Sequence, residues 1–133
     1  MYLFWLFQGM SLEDTVWRVI SLGRVGGAYH SAVERTLHDG VRKNISQPTL
    51  LLSEIKPVVS LGKNQNYALD VDHDACSRRG VDIVRRQSGG QAVYIDEGYF
   101  VFSAVAPTSL LTDDITKLRE SFCTVVLDSL RSL

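Results

Sequence analysis

Six consecutive residues, Arg85-Arg86-Gln87-Ser88-Gly89-Gly90, bring together two guanidinium groups, a hydroxyl and two glycines. The glycines let the backbone come close to a ligand and turn its N–H groups outward. Such a concavity of N–H groups holds phosphate or carboxylate oxygens, and a guanidinium offers the same anions bidentate hydrogen bonds. Arg85 and Arg86 point to opposite faces of a strand, so one can reach the ligand while the other pairs elsewhere. A hairpin alone would explain the glycines but not the arginines. A Walker loop and a dinucleotide-binding loop both run from strand into helix. Here a second strand-like stretch, QAVYID (91–96), follows at once, which excludes both.

Other residues of chemical interest carry less. His30, Glu34 and His38 lie four apart on one helix, a spacing that can hold zinc. His30, however, falls beside the apolar stripe of Val33, Leu37 and Val41, so a partly buried histidine with one polar partner is expected instead. Asp70, Asp72, His73 and Asp74 suggest a cation loop but lack the closing glutamate of the calcium pattern; a capped helix start accounts for them better. Arg78 and Arg79 read as a solvated helix end. Cys76 and Cys123 form no CxxC pair, so neither a disulfide framework nor a zinc site is expected, and a cytoplasmic, reducing setting is the default. Cys123, among Phe122, Val125 and Val126, reads as a buried helix residue. No metal site is expected.

The elements around the glycine turn follow from periodicity. Strands are expected at 16–21, 48–55, 57–62, 81–87, 91–96 and 99–106. The four-residue spacing of Val33, Leu37 and Val41 predicts a helix over 28–43. Asp70 or Asp72 opens a short helix that runs through Arg79 and stops at Gly80. Residues 99–106 are apolar on both faces and should form a central strand covered on both sides. Thr112 caps a final helix striped by Ile115, Leu118, Phe122, Val126 and Leu130, with Asp113 and Asp114 in its first turn. Tight connections at 88–90 and 97–98 imply antiparallel neighbours. The fold class is therefore α+β, with a mixed, largely antiparallel sheet flanked by helices.

The chain has 133 residues, enough for one domain. Its 14 basic and 15 acidic residues give a net charge of −1 and no prior for nucleic acid or an anionic membrane. Residues 1–9 are too short an apolar run to span a bilayer. They fit either an added first strand or, the preferred reading, an upstream extension before a start at Met10. Ser11-Leu12-Glu13-Asp14 then reads as a loose capping box. Residues 10–133 would be the N-terminal part of a catalytic domain.

RRQSGGQAVYIDEGYFVFS resembles the signature of the lipoate–protein ligase A family, within the biotin/lipoate ligase and octanoyltransferase group. PVVSLGKNQN resembles the strand and loop that precede it there, and AYHSAVERTL more weakly its first helix, all in the same order over about residues 16–106. The resemblance implies a biotin/lipoate ligase-like catalytic domain. It implies that ATP and lipoate, with Mg2+, give lipoyl-adenylate, and that the lipoyl group passes to a lysine of a lipoyl carrier domain. The carrier would be part of a 2-oxoacid dehydrogenase or the glycine-cleavage H protein. Carried over by position, Arg86, Ser88, Gly89 and Gly90 would line the acyl-adenylate pocket, with Gln65 and Asn66 in the neighbouring loop. Val93, Phe102 and Ala104 are candidates to line a tunnel for the apolar tail, although core packing is the commoner role for each alone.

Three positions depart from the family pattern. Ile95 stands where the ligases have histidine, Gln91 at the third glycine, and Lys63 at an arginine that a lysine does not equal at a bidentate site. The missing histidine points to the alternative, an octanoyl or lipoyl amidotransferase with a cysteine nucleophile and no ATP. A non-catalytic lipoate-binding module is a further alternative. The family's catalytic lysine lies beyond the final helix read here, so the catalytic residue is unassigned. The chain alone is expected to be inactive, and a C-terminal companion segment or chain would complete it.

Overall fold

The computed structural model describes residues 15–110 and 114–132. Trp17–Val105 form one unit, and the described residues from Ala106 onward belong to a second.

The first unit begins with β1 (Arg18–Val25), α1 (Gly27–Arg42) and β2 (Thr49–Ile55), a parallel crossover in which β1 and β2 pair. Gly23, at φ 64°, sits where the β1–β2 register shifts between Ser21 and Arg24, so the strand continues past the 16–21 expected for it. β3 (Val58–Leu61), α2 (His73–Arg78), β4 (Asp82–Arg85), β5 (Val93–Ile95) and β6 (Phe100–Val105) follow. They build two three-stranded sheets, ordered β1-β2-β6 and β4-β3-β5. Each contains one parallel and one antiparallel pairing.

Alternation explains the core. Thr49, Leu51, Ser53 and Ile55 of β2 all point to one face and are buried, while Glu54 faces out. Leu37 and Val41 of α1 pack there with Leu51 and Val105, and Ile20, Leu22 and Val33 surround them. Asn44, at φ 55°, follows the C-cap Lys43 of α1 in the left-handed conformation that commonly ends helices. In α2 the Asp72 side chain caps by accepting from Ala75 N–H at 2.8 Å, and Gly80 at φ 63° follows the C-cap Arg79.

Several expectations need correction. The glycine turn does not join antiparallel neighbours, because β3 lies between β4 and β5, parallel to one and antiparallel to the other. A turn signal reports local backbone geometry and cannot say whether a third strand stands between the two it connects. The 97–98 connection likewise leads from one sheet to the other. Among the described residues β6 is an outer strand and β2 the central one of its sheet. Nor are both faces of β6 covered among the described residues: Phe100 is exposed, residues 101–104 are half-buried and only Val105 is buried.

The remaining correction concerns the second unit. Its helix α3 (Ile115–Arg131) is capped by Asp114, whose Oδ1 accepts from Thr116 and Lys117 N–H at 2.9 and 3.2 Å. Thr112 and Asp113 lie outside the described residues, as do Met10 and the Ser11–Asp14 box. Leu118, Phe122 and Val126 of the stripe are half-buried, while Cys123 is exposed. One residue past Phe122 is about 100° around the helix, which takes Cys123 off the stripe. No helix among the described residues is long and apolar enough to cross a membrane.

Candidate functional site

A cavity of about 340 Å³ lies between one face of α1 and the strands. Its apolar wall is Ile55, Val58, Val84, Ile95 and Val101. α1 supplies His30, Glu34 and His38 in one row, with Ser31 and Arg35 beside them. Arg86, Gln87 and Ser88 line the part where β4 leads into the glycine turn. The helix sits close because Gly27 has no side chain: a Cβ there would stand 2.7 Å from Val58 Cγ2.

The turn is held in three ways. Arg86 N–H donates to Leu61 O at 2.9 Å, extending the β3–β4 pairing by one bond, and Lys63 N–H donates to Ser88 O at 2.9 Å. The Arg86 guanidinium donates to Ser60 O, Gly89 O and Gln91 O at 2.6, 2.8 and 2.7 Å. Gly62 then packs against Gly90 so closely that a Cβ on Gly62 would fall 2.0 Å from Gly90 O. Gly90 itself is at φ 95°, open to glycine and hardly to any other residue. Arg85, on the opposite face, donates to Gly62, Lys63 and Gln65 O at 3.0, 3.1 and 2.8 Å and holds the companion loop. Among the described residues no backbone acceptor takes the N–H groups of Ser88, Gly89 or Gly90. Such free, clustered N–H groups suit an anionic or strongly polarised oxygen.

At the other end of β3 the cavity is bounded by a buried polar pair. His30 Nδ1 lies 2.8 Å from Ser53 Oγ, and the two residues are only 6% and 1% exposed. Burial lowers the His30 pKa below the ordinary imidazole value, against the opposing charge of Glu34, so the ring is held toward its neutral form. Glu34 Oε1 in turn accepts from Ser103 Oγ at 2.6 Å. Glu34 is the one carboxylate in the lining, and among the described residues no group of three or more His, Cys, Asp or Glu could hold a metal. The described residues of the cavity therefore assemble no all-protein Mg2+ cage.

Placement of the sequence-derived residues is uneven. Arg86 and Ser88 line the cavity, and Gly89 and Gly90 form the turn beside them. Gln65 and Asn66 do not line it. Gln65 Oε1 accepts from Gly62 N–H at 2.9 Å, and Asn66 Oδ1 accepts from Ala68 N–H at 3.0 Å, so both shape the companion loop. Val93 is 49% exposed and outside the lining, as are Phe102 and Ala104. Val101, adjacent to Phe102 and so on the other face of β6, lines the cavity, as does Ile95, which shares a face of β5 with Val93 but lies two residues farther along. Ser53 and Val58 went unremarked. The period of two along β2 could have placed Ser53 on the buried face, but only the fold brings it to His30.

The family described as Lipoyl protein ligase A/B catalytic domain matches residues 27–133. The chain belongs to this family. Octanoyltransferase LipM of Exiguobacterium sp. is 30% identical over 100 residues, 74% of this chain and 36% of its own length. Octanoyltransferase LipM of Carboxydothermus hydrogenoformans is 35% identical over 78 residues, 58% of this chain and 29% of its own. The chain thus spans about a third of the length of these relatives. Among solved structures, the bi-partite lipoate protein ligase of Thermoplasma acidophilum, described with its E2 lipoyl domain, superimposes with a TM-score of 0.69 at 26% identity. That match covers 90% of this chain and 46% of the other. A lipoate-protein ligase A bound with ATP gives 0.59 at 26% identity, covering 77% and 41%. The α+β architecture, mixed sheets flanked by helices, is the biotin/lipoate ligase-like catalytic fold.

Proposed function

We propose that the cavity is an acyl site, and that this chain contributes it to an enzyme that moves an octanoyl or lipoyl group onto a lysine of a lipoyl carrier domain. Transfer from one carrier to another is favoured over activation by ATP. The observation that carries the reading is the cavity itself: an apolar wall for a hydrocarbon chain, continuous with a turn whose N–H groups suit the polar head. Its volume lies within the ~300–1,000 Å³ usual for small-molecule sites. Gly89 and Gly90 would meet the acyl head through their backbone, Ser88 through its hydroxyl, and Arg86 by fixing the turn. Gln65 and Asn66 would act at one remove, through the loop they shape.

Two observations favour transfer. The curated relatives named above are octanoyltransferases. Ile95, at the position where the ligase pattern has histidine, lies in the apolar wall rather than among the polar groups. Cys76 does not line the cavity, so the reading assigns the lining residues binding and orientation, not bond-making. Adenylation of lipoate is the second reading, supported by the likeness to a ligase bound with ATP. On either reading the acceptor is a lipoyl carrier domain, and a companion segment or chain completes the enzyme, in line with the bi-partite ligase.

The experiment uses the full-length protein. Octanoyl exchange between carrier domains without ATP supports transfer. Lipoate-dependent ATP–pyrophosphate exchange overturns it in favour of the ligase. Failure to bind any acyl ligand overturns both.

A further inference from the structure

The two ends of the cavity differ. β3 runs from Val58 to Leu61, about 10 Å at the rise of an extended strand. The glycine turn crosses its Leu61 end, because Arg86 N–H bonds Leu61 O. His30 belongs to the Val58 end. Gly27, one turn before it on α1, abuts Val58, and Val58 pairs with Ile95 across the sheet. Ser53, the partner of His30, pairs with Val101 on β6. A chain whose head meets the turn therefore points its tail toward Ile95, Val58 and Val101, and toward His30.

An imidazole is an unusual tail-end group in an apolar wall. Nδ1 is occupied by Ser53 Oγ. Nε2 has no hydrogen-bond partner among the described residues, although His30 is only 6% exposed and lines the cavity. Ser53 fixes the ring from behind, and burial keeps it neutral, so the free nitrogen is one directional hydrogen-bonding group rather than a charge. A saturated tail that fills the cavity would remove water from Nε2 and give nothing back. Leaving a buried polar group unpaired is costly, whereas a tail bearing a hydrogen-bonding atom would satisfy it.

We propose that His30, positioned by Ser53, is a specificity-determining residue that makes this cavity favour an acyl chain with a hydrogen-bonding group at its distal end over a plain hydrocarbon one. The inference rests on the acyl-site reading and names its substrate class more closely. Octanoic acid and 8-hydroxyoctanoic acid, which share chain length and head group, are the probes.

The test is calorimetry of both acids with the full-length protein, and with His30→Phe and Ser53→Ala after circular dichroism has confirmed their folds. Nitrogen NMR of the wild-type imidazole accompanies it. The wild type is expected to bind the hydroxy acid about tenfold more tightly. His30→Phe should abolish or reverse that preference, and Ser53→Ala should reduce it. The Nε2 resonance should move with the hydroxy acid far more than with octanoic acid, a readout that a merely structural histidine would not give and that needs no variant to fold. Equal affinities in the wild type with no differential Nε2 shift overturn the role of His30 and leave the acyl site standing. Binding of neither acid overturns both.

Discussion

Gly62→Ala is the sharpest probe of the site, because one methyl group is set against backbone that cannot yield cheaply. The added Cβ would lie 2.0 Å from Gly90 O, 3.0 Å from Gly90 C and 3.3 Å from Gly89 C. An ordinary carbon–oxygen contact is about 3.3 Å, so the two loops must separate by about 1 Å. That shift stretches Lys63 N–H to Ser88 O, now 2.9 Å, and the Arg86 bonds to Gly89 O and Gln91 O, now 2.8 and 2.7 Å. Overpacking of this kind costs about 1–3 kcal/mol, and each weakened bond to a charged donor adds up to about 1.5–3 kcal/mol when lost outright. A net loss of about 3 kcal/mol is expected. At a urea slope of about 2 kcal/mol per molar, the midpoint falls by about 1.5 M. Acyl-ligand binding, measured below the transition, should fall with it. Gly89→Ala is the control: nothing lies within 4 Å of its added Cβ, so its unfolding free energy should change by no more than about 0.5 kcal/mol. If Gly62→Ala unfolds and binds like the wild type, the close packing of the two loops does not organise the site.

Further substitutions test separate links. Arg86→Ala should weaken acyl-ligand binding far more than Arg79→Ala, because Arg86 donates three hydrogen bonds to turn carbonyls and Arg79 is an exposed helix-end residue. Arg86→Lys should rescue little, since an ammonium lacks the planar fork; calorimetry decides both. Gly90→Val should abolish binding with the fold largely kept by circular dichroism, because φ 95° is forbidden to a β-branched residue and its Cβ would stand 3.0 Å from Arg86 Nη2. Asp72→Ala should cost about 1 kcal/mol in denaturant unfolding through loss of the α2 cap. For pH, burial depresses the folded-state pKa of His30 below its ordinary 6.5. The unfolded chain then binds the proton more readily, so the contribution is complete above about pH 6.5 and is lost as pH falls through the folded value. Unfolding free energy should decline from pH 7 to pH 5, and His30→Asn should flatten that decline.

Periodicity carried the elements well, and for a physical reason. Val33, Leu37 and Val41 mark α1 because one face of a helix must bury. Asp72 and Gly80 mark α2 because caps are local. Pairing is not local: nothing in residues 82–96 tells that β3 stands between β4 and β5. The same limit explains the wall of the cavity. Phe102 and Ala104 are strand residues of the right type on the opposite face from Val101, while Val93 shares the face of Ile95 but stands beyond the lining; both outcomes depend on a placement that only the assembled sheets define. His30 was legible as a partly buried histidine with one polar partner. That the partner is Ser53, 23 residues away on another element, was not.

The arginines before the glycine turn show how a legible motif can have an illegible mechanism. Their types and spacing suggest ligand contact, yet the bonds they make run to backbone carbonyls. Arg86 draws in the carbonyls of Ser60, Gly89 and Gln91, and Arg85 those of Gly62, Lys63 and Gln65. In a trans peptide the C=O and the following N–H point in opposite directions. Pulling Gly89 O onto Arg86 therefore turns Gly90 N–H away from the guanidinium, and fixing Ser88 O on Lys63 N–H turns Gly89 N–H away from the companion loop. Arg86 and Lys63 N–H thus collect the negative ends of the turn's peptide dipoles and leave Gly89 and Gly90 N–H free, whereas Lys63 and Asn66 N–H, which follow two of the carbonyls held by Arg85, are bonded to Ser88 O and Asp70 Oδ2. A polarised acyl carbonyl or a phosphate would be held by those freed N–H groups within the positive field of two guanidinium ions. Such an arrangement needs guanidinium at position 86, where Nη1 reaches Ser60 O and Nη2 reaches Gly89 O and Gln91 O, because a single ammonium cannot span carbonyls on two segments at once. It also needs glycine at 62 and 90, because the loops must touch for the carbonyls to come within reach.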